Sequence, residues 1–93
     1  AADGRIENAY TLKLMNLDNV PRKFAIEVIG LPGVQIVGEN EFSADSGSIR
    51  PVSITVSAPG DNHLSGIQPI TFRIVAKLDP NTQVLEKSSF ALP

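Results

Sequence analysis

Apolar and polar residues alternate with period two in three separate stretches of this chain. Thr11-Leu12-Lys13-Leu14 lies in the first, Val52-Ser53-Ile54-Thr55-Val56-Ser57-Ala58 is the second, and Ile70-Thr71-Phe72-Arg73-Ile74 lies in the third. Successive side chains of a strand point to opposite faces, so this rhythm predicts sheets with one buried and one wet face. The first strand is expected over Ile6–Asn16, with Tyr10, Leu12, Leu14 and Asn16 on the inward face and Thr11, Lys13 and Met15 outward. A second is expected over Lys23–Ile29, with Phe24, Ile26 and Val28 opposite Ala25, Glu27 and Ile29, and a short third over Val34–Val37.

Turn chemistry separates these runs. Asn16-Leu17-Asp18-Asn19 supplies side chains that bond to nearby backbone, and in Gly30-Leu31-Pro32-Gly33 the proline sets φ while Gly33 takes a positive φ. Phe42 is expected to pin its segment to the core, and Ser43-Ala44-Asp45-Ser46-Gly47-Ser48 reads as a loop. Pro51 stands where a strand over Val52–Ala58 would begin. Pro59-Gly60-Asp61-Asn62 is a turn, Leu64 to Gln68 an irregular connection, and Pro69 guards a strand over Ile70–Leu78. Asp79-Pro80-Asn81-Thr82 is expected to reverse the chain into a last strand over Gln83–Phe90. No segment has helical periodicity. Short strands at regular spacing predict an all-β, immunoglobulin-like (fibronectin-type-like) antiparallel sandwich of about seven strands in two sheets.

Composition narrows this picture further. Ninety-three residues, 42% of them hydrophobic, suit one domain spanning 1–93, with no internal repeat or shift in composition. The absence of cysteine removes disulfides and thiolate metal sites without locating the protein. Net charge is −2 with both signs interspersed, which excludes the basic stripe of a nucleic-acid binder. No apolar run approaches the roughly 20 residues that span a bilayer, so no insertion of this fragment into the membrane is expected. The start at Ala1-Ala2-Asp3 lacks signal-peptide features and an initiator methionine, which suggests an excised piece of a larger protein.

Candidate chemistry is sparse. His63, the one histidine, lies beside Asp61 and Asn62 in a proline–glycine turn and lacks the converging ligands or nucleophile that a metal site or general base needs. Met15 is a soft donor, but one thioether is a poor copper site, and packing is the preferred role. Glu39-Asn40-Glu41 is a weak version of a calcium loop and reads as a solvated loop. Gly30 to Gly33 has no following helix to cradle phosphate, and Ser43, Ser46 and Ser48 lack a nearby base. No catalytic, cofactor-binding or metal-binding residue is assigned. Open sandwiches end in edge strands, and Pro21, Pro51 and Pro69 with Lys13, Lys77 and Lys87 look like devices that blunt them. This favours a domain that stays monomeric or docks through its loops rather than by strand pairing.

Two segments carry a family resemblance. The run Gly4-Arg5-Ile6-Glu7-Asn8-Ala9-Tyr10-Thr11-Leu12-Lys13-Leu14-Met15-Asn16 resembles the DGxIxNxYxLKxxN opening of the immunoglobulin-like C-terminal domain of FixG/CcoG-type proteins. Ile26-Glu27-Val28-Ile29-Gly30-Leu31-Pro32-Gly33 is similar to the strand and turn that follow it, and Ile70 through Phe90 to the final hairpin. The resemblance covers nearly the whole chain through residues that are mostly structural. It implies a parent with transmembrane helices and a ferredoxin-like, iron–sulfur-binding segment, a bacterial inner-membrane protein that assists cytochrome oxidase assembly by reducing copper. It further implies a periplasmic, non-catalytic accessory or docking domain without a cofactor of its own, whose partners are oxidase subunits or copper chaperones. The rivals are a transient copper-binding domain using His63, Met15 or Asp61, and an adhesive or carbohydrate-binding sandwich. One tyrosine and no tryptophan leave little for sugar stacking.

Overall fold

Alternation becomes pleated sheet throughout the computed structural model, which describes residues 4–60 and 64–93. Its strands are β1 (Arg5–Asn16), β2 (Arg22–Ile29), β3 (Gln35–Val37), β4 (Glu41–Ala44), β5 (Ser48–Pro59), β6 (Gly66–Ala76) and β7 (Asp79–Leu92). All pairings are antiparallel, and no helix occurs among the described residues. One sheet has the order β1-β5-β3 and the other β4-β2-β6-β7. Both ends of each sheet are therefore edges, as expected of an open sandwich.

The inward faces supply one core. Leu12 and Leu14 of β1 and Val52, Ile54, Val56 and Ala58 of β5 meet Ile26 of β2, Ile70, Phe72 and Ile74 of β6, and Phe90 and Leu92 of β7. Burying each large aliphatic or aromatic side chain contributes about 1.5–3 kcal/mol, so this layer outweighs any surface pairing. Tyr10 meets Phe72 edge to face, their centroids 5.1 Å apart, a favoured arrangement of ring quadrupoles.

Several strands are longer than alternation predicts. Ser48 to Pro51 extend β5, and Gly66 to Pro69 extend β6, so both prolines lie inside strands. Each sits where its strand has one neighbour. Pro51 opposes Lys13 of β1 while β3 reaches only Thr55 to Ser57, and Pro69 opposes Ser89 of β7 while β2 begins at Thr71. A missing N–H is tolerated on such an open flank. Ser43 and Ala44 belong to β4 rather than to a loop. The last reversal falls at Lys77-Leu78, earlier than Asp79 to Thr82, because Ala76 already pairs with Asp79.

Polar clasps hold the two ends of β1. Asn16 is almost fully buried; its Nδ2 donates to the carbonyls of Val20, Ala44 and Asp45 at 2.9, 3.0 and 3.1 Å, and its Oδ1 accepts from the Asp18 N–H at 3.1 Å. At the opposite end of β1, Arg5 donates through Nε to Ser57 Oγ at 3.0 Å, and through its terminal nitrogen to the carbonyls of Gly33 at 2.7 Å and Ser57 at 3.1 Å. Gly33 has φ +72°, the positive value its turn requires.

Candidate functional site

Among the described residues, those singled out for chemistry do not converge. His63 and Asp61 lie outside the described residues. Met15 points outward from β1, 57% exposed, across from Ile49 of β5. Glu39 and Glu41 do not form a calcium loop: Asn40 Nδ2 donates to the Ile26 carbonyl at 3.3 Å, and Glu41 accepts from Lys77 Nζ at 2.6 Å. That hydrogen bond holds the Glu41 carboxyl below the usual carboxylate range. Among the described residues, no group of three or more His, Cys, Asp or Glu side chains is placed to hold a metal.

Charged side chains of the four-stranded sheet pair with one another. Glu27 of β2 and Arg73 of β6 are opposite in register and joined by an ion pair, with Arg73 Nε donating to Glu27 Oε2 at 2.8 Å. Asp18 accepts from Arg22 Nε at 2.9 Å beside the β1–β2 turn. Arg50 lies over the Phe42 ring, 5.6 Å from its centroid, and donates to the Ser43 carbonyl. Exposed pairs of this kind add little stability, typically about 0–1 kcal/mol each, and leave a neutralised surface.

Two features of the surface are not neutralised or closed. The first is a recess of about 250 Å³ between the end of β1 and the β6–β7 turn, with Met15, Leu17, Phe24 and Leu78 among its lining residues and the Asp18–Arg22 ion pair beside them. Leu17 and Leu78 are 83% and 87% exposed. Sequence reading leaves both unremarked, because a single leucine in a turn has no periodicity; only the fold sets the two turns side by side.

The second is the outer edge of β7. Near its C-terminal end β1 covers it: the Ala91 N–H donates to Asn8 Oδ1 at 3.2 Å, Asn8 Nδ2 donates to the Ala91 carbonyl at 3.3 Å, and the Tyr10 hydroxyl donates to the Ser89 carbonyl at 2.7 Å. Burial raises the pKa of that hydroxyl. Between Gln83 and Lys87, no strand among the described residues covers β7 on this side.

The chain matches, over residues 1–93, the family described as "IG-like fold at C-terminal of FixG, putative oxidoreductase". Its fold is similar to the crystal structure of a FixG-related protein from Vibrio parahaemolyticus, with a TM-score of 0.85 and 25% identity over 98% of this chain and 83% of that one. An extracellular fragment of EsaA from Streptococcus gallolyticus aligns at a TM-score of 0.48 and 13% identity, over 92% of this chain and 23% of that one, too distant to carry an argument. No curated protein matches.

Proposed function

The chain belongs to the family of immunoglobulin-like domains found at the C-terminus of FixG, and from that premise we propose that it is a non-catalytic docking domain. In this reading it sits on the periplasmic side of the bacterial inner membrane as part of a membrane-anchored iron–sulfur protein, and receives protein partners engaged in copper reduction and oxidase assembly. The observation that carries docking is the apolar end of the sandwich, where Leu17 and Leu78 stand in solvent beside the Met15 and Phe24 walls of the recess. Exposed apolar side chains that gather at one place mark contact surfaces more often than scattered ones do. Charged residues of both signs, among them the Asp18–Arg22 ion pair, add a polar border of the kind that surrounds interface cores.

The test replaces both leucines in the full-length parent, Leu17→Asp with Leu78→Asp. Both side chains are exposed, so the domain keeps its melting temperature within about 5 °C, since surface changes away from packed features rarely exceed about 0.5 kcal/mol each. Oxidase assembly in the cell is expected to fall at least about fivefold. Wild-type assembly with the doubly substituted protein present at normal abundance contradicts docking through this end.

A further inference from the structure

We propose that the outer edge of β7 between Gln83 and Lys87 is a strand-addition site for an extended segment of a partner protein, a mode of contact that rests on the docking reading and specifies it. The hydrogen bonds of the covered half set the geometry. Ala91 turns both its N–H and its carbonyl away from β6, toward Asn8, and the Ser89 carbonyl turns the same way, toward Tyr10. Backbone polarity alternates along an antiparallel strand, and pairing with β6 is regular from Gln83 to Leu92. Gln83, Leu85 and Lys87 therefore present their backbone N–H and carbonyl groups outward too. The chain's own side chains satisfy one half of the edge and leave the other open to a further strand.

The side chains of this half define the occupant. Val84 and Glu86 oppose Ile74 and Phe72 and so lie on the core face, yet Val84 is 54% exposed, because β1 covers β7 only farther along. Leu85, 59% exposed, and Lys87 lie on the outer face. An added antiparallel strand that places apolar residues opposite Val84 and Leu85, a basic residue opposite Glu86 and an acidic one opposite Lys87 would bury both apolar side chains and pair both charges. A second copy fits less well. With outward positions paired about Leu85, Glu86 would face Val84 and Lys87 would face Gln83, leaving every charge without a counterpart. The edge thus selects a partner segment of defined chemistry.

The probe is a synthetic peptide with consecutive Asp, Lys, Val, Ile and Thr set to oppose Lys87, Glu86, Leu85, Val84 and Gln83, with a control peptide in which Asp and Lys are exchanged. Amide hydrogen exchange of the 93-residue chain is expected to slow at least about tenfold at Gln83, Leu85 and Lys87, whose N–H groups gain partners, and not at Val84 and Glu86. The matched peptide should bind at least about threefold tighter than the control, a preference that Lys87→Glu abolishes. Leu85→Pro removes an outward N–H without breaking the β6 ladder, so it should abolish binding in a chain that still melts cooperatively. Equal binding of the two peptides, protection elsewhere, or binding unaffected by Leu85→Pro overturns the proposal. So does a dimer seen by sedimentation that Leu85→Pro dissolves, which would assign the edge to a second copy. If Leu17→Asp with Leu78→Asp blocks oxidase assembly while Leu85→Pro does not, the edge proposal fails and docking stands. If the peptide binds as described and Leu85→Pro blocks oxidase assembly while Leu17→Asp with Leu78→Asp does not, the edge stands and docking through the apolar end falls.

Discussion

Asn16 ties three separate backbone segments together through one buried side chain. It sits at the end of β1 on the face that Leu12 and Leu14 bury, and bonds to backbone from the β1–β2 turn, from β4 and from the turn into β5. Alternation places it inward, but its purpose is invisible in the sequence, because two of its partners lie 28 and 29 residues away. Removing the amide would strand buried carbonyls, at a cost of about 1–3 kcal/mol for each one that water cannot reach. Asn16→Ala is therefore expected to lower unfolding free energy by about 2–4 kcal/mol in urea denaturation. Asn16→Asp should be nearly as damaging, since a carboxylate cannot donate to the same carbonyls. A loss below about 0.5 kcal/mol for Asn16→Ala, the range of ordinary surface changes, would show that these bonds are dispensable.

Elements are set by face and by flank. Gly30 ends β2 with φ +122°, and a Cβ there would stand 2.9 Å from the Pro69 carbonyl oxygen of β6. Gly30→Ala should cost about 1–3 kcal/mol through backbone strain and this contact, seen as a lowered melting temperature; an unchanged one would mean that the turn relaxes freely. The β-rich architecture, the inward faces of β1, β5 and β6 and the turn at Gly33 were all legible from alternation and turn residues. Strand ends were less so, for a physical reason: Pro51 and Pro69 look like stops in a linear pattern, and only the register reveals that each has an open flank. The reversal at Lys77-Leu78 was likewise hidden by the stronger turn residues that follow it. The two exposed leucines could not be read as a surface at all, since turns distant in sequence meet there only after folding.

At the scale of the molecule, the sandwich is long and narrow, 46 × 23 × 17 Å, its length matching the fourteen residues of β7 at about 3.3 Å each. Arg5 and its partners clasp one end, while the other carries the β6–β7 turn, the recess and the open start of β7. A module with this polarity would present one end to a partner, the contact proposed above for this member of the family of immunoglobulin-like domains at the C-terminus of FixG. The most direct measurement is photo-crosslinking in living bacteria, with a photoreactive residue installed in the full-length parent in place of Leu78 or, as a control, of Thr11 on the outer face of β1. The account predicts a discrete crosslinked protein partner from position 78 and none from position 11. Equal crosslinking from the two positions, or none from position 78 in a parent that still supports oxidase assembly, would contradict it.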